Sequence, residues 1–180
     1  NKLQQTIAKQ IESYETYRLS EALMDLYSFI WNDFFSEYLE FIKPSYKTPI
    51  DQKTYEQALT FFEQLMTLLH PFMPFVSEEI WHQLRERKDG DDCVVSTYPS
   101  PETYDEALIE KMEEVIQLVS KIRAIRTEKG MKKWEPLKLY VQDSARIKAL
   151  LSVAGLQSLL LKSASLSDLE ITNAEEIDST

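Results

Sequence analysis

Glycine is scarce in this sequence, and that scarcity excludes a good deal. There are only three, Gly90, Gly130 and Gly155, so no loop of the G-x-x-x-x-G-K-[ST] or G-x-G-x-x-G kind exists to cradle a phosphate. Cysteine is rarer still. Cys93 stands alone and cannot form an internal disulfide; with two histidines at no metal-ligand spacing, it provides no zinc motif. A metal site is therefore not expected, and Cys93 reads as a reduced, bland residue. No apolar run approaches the roughly 20 residues that span a bilayer, and residues 1–10 lack the basic and apolar regions of a signal peptide. The expectation is a cytoplasmic protein with no membrane partner. Positive charge is also short: 20 Lys and Arg against 30 Asp and Glu leave a net charge of -10, which argues against indiscriminate binding to phosphate backbones.

What is present is enough apolar material for a core, 43% of 180 residues, sufficient for one domain or one domain with a small appendage. Leu3, Ile7, Ile11 and Tyr14 recur at spacings of three and four, which predicts an amphipathic helix. Ser20 is placed to cap a second helix, with Glu21 in its first turn, running through EALMDLYSFIWNDFFSEYLEFIK to Pro44. Its apolar residues surround most of the circumference, so it is expected to be central and packed by several neighbours. After the proline-bearing loop PSYKTPIDQ, the positions Tyr55, Ala58, Leu59, Phe62, Leu65, Met66 and Leu69 form a third stripe that stops at Pro71; Pro71 and Pro74 make a rigid corner.

A fourth helix is predicted from near Ser77 through SEEIWHQLRER, with Ile80, Trp81 and Leu84 inward, ending before Gly90. CVVSTYPSP reads as extended. A fifth covers residues 105–129, buries Leu108, Met112, Val115, Ile116, Val119, Ile122 and Ile125, and ends at Gly130 in the position just past a helix C-cap. Helices joined by modest loops predict a mainly α fold, an antiparallel helical bundle over residues 1–134. Beyond it the apolar period falls from 3.6 to 2. PLKLYVQ reads as a strand, Ser144 caps a helix over residues 145–153, residues 156–161 supply a further helical turn or two, and SDLEIT alternates again with Leu169 and Ile171 on one face. This is the size of a strand–helix–strand crossover, giving a small α/β appendage at residues 135–180.

Four segments, in order, resemble class I aminoacyl-tRNA synthetases of the valine, isoleucine and leucine subgroup. LYSFIWNDFFSEYLE is similar to the central bundle helix of valyl-tRNA synthetases, and LLHPFMPFVSEEIW to the helix, proline corner and helix shared by the subgroup. IRAIRTEKGM and PLKLYV resemble the valyl helix end and the strand after it. The likeness runs from residue 1 to about residue 141; the second segment does not separate the three amino acids, whereas the first and third favour valine. The resemblance implies an anticodon-binding bundle whose partners are a valine tRNA and a catalytic domain of the same polypeptide. It also implies that the ATP-binding signatures, the editing insertion and the C-terminal coiled coil are not in these residues, so no cofactor and no catalytic residue are expected here, ATP serving the full-length enzyme. NKLQQTI resembles the sequence just inside the helix that opens the bundle and faces the anticodon.

The candidate RNA-binding residues follow. KIRAIRTEKGMKKW is a positive island in an acidic chain, where Lys121, Arg123, Arg126, Lys129, Lys132 and Lys133 are opposed only by Glu128. Such a cluster can neutralise several phosphates and release their counterions. The plainer alternative is that these charges complement the negative end of the helix dipole, solvate a face, or, for Arg123 or Arg126, bridge to acidic neighbours. Lys2, Lys9 and Arg18 are candidates because the resemblance puts their helix near the anticodon; Asn1, Gln4 and Gln5 are weaker ones for reading base edges. Trp134 reads rather as a plug between bundle and appendage, and Trp31, Phe34, Phe35, Tyr38 and Phe41 as core. His70 has no nucleophile or acid at a fixed offset and reads as structural. Glu78 with Glu79, and Glu113 with Glu114, diverge by about 100° around their helices and read as solvated faces. The rival readings are an isoleucyl or leucyl domain, and a helical scaffold that binds no RNA.

Overall fold

The computed structural model describes residues 1–44, 47–132 and 135–172, in two compact units, Asn1–Tyr104 and Asp105–Thr180. The first is helical. Helix α1 (Lys2–Glu15) buries Leu3 and Ile7 as its spacing predicts. Gln10, also fully buried, donates from Nε2 to the Ala22 carbonyl at 2.7 Å and so ties α1 to the next helix. That helix, α2 (Leu19–Ser28), continues through a π-helical stretch, Phe29–Tyr38, into α3 (Leu39–Ile42). Ser36 Oγ donates to the Trp31 carbonyl five residues back at 2.8 Å, following the wider π turn. Arg18 occupies the N-cap position assigned above to Ser20, and does so without a side-chain cap.

The expectation that this second helix is surrounded is corrected. Ala22, Leu26, Phe29 and Phe34 are buried, whereas Leu23, Met24, Tyr27, Trp31 and Phe35 are exposed, Trp31 at 58%. Of the aromatic set, Phe34 carries the core contact, stacking on Tyr38 with ring centroids 5.5 Å apart and lying 5.6 Å from Phe62. An apolar circumference shows only that several sides favour burial; it does not supply the neighbours.

Helix α4 (Gln52–Leu69) starts where Asp51 Oδ1 accepts from the Thr54 amide at 2.9 Å. Hydrogen bonding from Thr54 also holds the Asp51 carboxyl below its ordinary range. Leu65, Met66 and Leu68 pack with Leu26, Phe29 and Phe34 in the core of this unit. Helix α5 (Pro74–Leu84) begins at Pro74, three residues earlier than read from the sequence, because proline's fixed φ suits the first helical turn. Trp81 is buried, its Nε1 donating to the Asp91 carbonyl at 2.9 Å and the Arg87 guanidinium lying 3.8 Å over its ring. Arg87 also pairs with Glu63, as does Arg85 at 2.9 Å. Cys93–Val95 is a 3-10 turn rather than extended chain.

In the second unit Asp105 caps α6 (Glu106–Glu128), its Oδ1 accepting from the Leu108 amide at 3.0 Å. Val115, Val119 and Ile122 pack against Leu150 of α7 (Ala145–Leu151), Leu156 and Leu160 of α8 (Leu156–Ser163), Ala164 and Leu169. Strands β1 (Leu137–Gln142) and β2 (Leu166–Thr172) pair in parallel, Leu139 opposite Leu169 and Val141 opposite Ile171, with an irregularity between Leu137 and Lys138. Parallel pairing requires a crossover, and α7 and α8 supply it. Leu169 is buried and Ile171 exposed. The change of period after residue 134 marks where helix gives way to strand, but compactness groups α6 with the strands, because its buried stripe is covered by α7 and α8. The architecture is thus mainly helical with a small α/β piece, and no described helix is long and apolar enough to cross a membrane.

Candidate nucleic-acid interface

The end of α6 is built by an arginine. Arg126 is only 5% exposed, and its guanidinium donates to the carbonyls of Lys132 (3.2 Å), Glu135 (2.7 Å) and Ser165 (2.7 Å). It thereby fastens the turn after α6 to the residue that leads into β2. Its place was legible: Val115, Val119, Ile122 and Arg126 follow one another at spacings of four, three and four, so the cation sits on the buried stripe. Arg123, half-buried, donates to the Ser163 carbonyl at 3.0 Å. Neither matches the bridge to acidic neighbours considered above; both donate to backbone. Arg126 is corrected from a surface cation to an internal clamp.

The other cations of this island differ. Lys121, Lys129 and Lys132 are exposed, and Lys133 and Trp134 lie outside the described residues. Lys121 shares its helix face with Ile125, one turn on and also exposed. Lys129 is the C-cap, its amide donating to the Ile125 carbonyl at 2.9 Å, and Gly130 follows with φ +65°, the left-handed turn that glycine permits. Positive side chains here complement the negative end of the α6 dipole.

In the first unit, Arg18 is committed locally. Its guanidinium meets Glu12 and Glu21 at 3.1 Å each, and its Nε donates to Thr16 Oγ1 at 2.9 Å, clasping the α1–α2 turn. Flanked by two carboxylates, it offers no net positive field. Lys9 is exposed on α1 and Lys2 is half-buried. Gln4 Oε1 accepts from the Glu102 amide at 2.8 Å, which commits its acceptor to the fold.

Other expectations fare unevenly. His70 Nδ1 lies 2.9 Å from Ser77 Oγ, a structural partner as read. Glu78 is not a solvated face: its carboxylate accepts from the amides of Cys93 (2.6 Å) and Val94 (3.1 Å). Burial, with the Glu78 charge adding to it, pushes the Cys93 thiol up from its ordinary range and keeps it protonated.

A mainly helical chain with cations gathered at one helix end fits a domain that grips RNA. The chain belongs to the family of anticodon-binding domains of tRNA ligases, whose model matches residues 1–141. Among curated relatives, the valine–tRNA ligase of Parabacteroides distasonis is 43% identical over 139 residues, covering 77% of this chain and 16% of that protein. That of Bacteroides fragilis is 36% identical over 162 residues, 90% of this chain and 18% of its own length. That of Thermosynechococcus vestitus is 37% identical over 126 residues, 67% and 14% respectively. The chain thus spans under a fifth of the length of these relatives.

Proposed function

We propose that this chain is the tRNA-gripping part of a cytoplasmic valine–tRNA ligase. It binds the anticodon arm of a valine tRNA while a catalytic domain elsewhere in the same polypeptide joins valine to the tRNA with ATP. What carries the reading is the family match over residues 1–141, together with the valine–tRNA ligases among the relatives. The role is one of binding energy and discrimination rather than bond-making. Exposed Lys121, Lys129 and Lys132 are the phosphate-facing candidates of the second unit, and Lys9 with the half-buried Lys2 those of the first. Arg123, Arg126 and Arg18 support the fold that presents them. In a chain of net charge -10, so few contacts favour weak, salt-sensitive binding.

Filter binding with a valine tRNA and an unrelated tRNA tests this. Weak binding that favours the valine tRNA and fades with salt is expected. Binding to neither would favour a protein scaffold, a rival suggested by the acidic surface, and tight binding indifferent to salt would also count against the proposal. Charging assays on the full-length enzyme separate valine from isoleucine and leucine.

A further inference from the structure

Both histidines and the sole cysteine, unconnected by their spacing in the sequence, are gathered by the fold around one carboxylate, Glu78. Glu78 and His82 stand four residues apart on α5 and project from one face. The segment after α5 returns across that face, held by the Trp81 bond to Asp91 and by the amides of Cys93 and Val94 on the Glu78 carboxylate. It sets Asp92 beside His82. His82 Nε2 lies 3.0 Å from Asp92 Oδ1 and 3.4 Å from Glu78 Oε1, and one donor atom of each of the three residues lies within 4.8 Å of the others. Side-chain exposures of 44% for His82, 41% for Asp92 and 27% for Glu78 leave the cluster open to a solvated ion.

We propose that Glu78, His82 and Asp92 bind a divalent transition-metal ion of the zinc type, with water completing its coordination. Donors about 2.0–2.1 Å from a tetrahedral zinc are separated by roughly 3.3–3.4 Å, close to the separations already present around His82. One imidazole and two carboxylates suit a borderline cation, and the imidazole favours zinc over magnesium. Two backbone amides fix the Glu78 carboxylate without exhausting its lone pairs, which is the outer-shell support that metal-binding carboxylates use. Glu78 also belongs to a second group with His70 and Cys93 on its inner side. There, however, His70 is engaged by Ser77 and the Cys93 thiol is buried, whereas the outer triad is open to solvent and is the site. Bound metal would staple the segment around Asp92 onto α5.

The test is calorimetric titration of the 180-residue chain with zinc chloride at neutral pH in a non-chelating buffer, with cobalt(II) absorption as a probe of imidazole ligation. One ion per chain is expected. His82→Ala and Asp92→Asn should each weaken binding about tenfold or more, while Cys93→Ser leaves it within about threefold. Far-UV circular dichroism checks that each variant is folded, and Asp92→Asn, on an exposed loop, retains the test should His82→Ala fail to fold. Absence of saturable binding, or binding that survives both substitutions, would mean that the cluster is only an ion-paired fastening between α5 and its loop. Loss with Cys93→Ser alone would move the site inward and overturn the assignment.

Discussion

Replacing Arg126 with alanine separates the two roles available to a cation at the end of α6. The side chain makes three hydrogen bonds to backbone carbonyls from a position only 5% exposed. A bond to a charged donor contributes about 1.5–3 kcal/mol, but three from one group do not add, because the turn relaxes and admits water once the first is lost. A net destabilisation of about 3–5 kcal/mol follows, a large share of the roughly 5–15 kcal/mol by which domains are stable. Arg126→Lys, with one ammonium in place of a planar fork, should recover only part of it. Urea unfolding gives the magnitude and amide exchange gives its location: protection should fall in β1 and β2 and persist in α1, α4 and α5. If Arg126→Ala left the urea midpoint unchanged yet cut RNA affinity, the buried clamp would be refuted.

Further perturbations probe other elements. Leu65→Ala, at a fully buried core position, should cost about 2–5 kcal/mol in thermal unfolding. Gln10→Ala leaves the Ala22 carbonyl without its 2.7 Å donor and should cost about 1–3 kcal/mol, seen in the same assay. Asp105→Ala removes the α6 cap and should cost about 1 kcal/mol, detected as fraying of the first turn by amide exchange. Arg146, hydrogen-bonded to Glu114, holds that carboxyl below its ordinary range. Its stabilising contribution is therefore complete above the ordinary glutamate range and lost as pH falls through the depressed value. Acidification through that window should lower the thermal midpoint of the native chain more than that of Glu114→Gln.

Where pattern and partner agree, the fold could be read directly. The three-and-four spacing of Leu3, Ile7, Ile11 and Tyr14 gave α1, and the fall to a period of two after residue 134 gave the parallel strands and their crossover. The second helix was misjudged because hydrophobicity measures what favours burial, while the exposed Leu23, Tyr27 and Trp31 depend on which neighbours exist. Arg126 was misjudged for the opposite reason: charge was weighed before position, although its spacing from Ile122 already put it on the buried stripe. Glu78 and Asp92 lay beyond reach, since their meeting depends on how the segment after α5 turns back, which no local period encodes.

The central claim is that exposed lysines of the α6 end meet RNA phosphates while the neighbouring arginines hold the fold. The direct measurement is the salt dependence of tRNA affinity for the native chain and for a Lys121→Gln, Lys129→Gln double variant. Each lost phosphate contact should lessen the slope of log affinity on log salt by about 0.7–0.9, so a flattening of about 1.5 is the result predicted, with the urea midpoint unchanged. Parallel salt lines for the two proteins would contradict the claim and place the RNA on another surface.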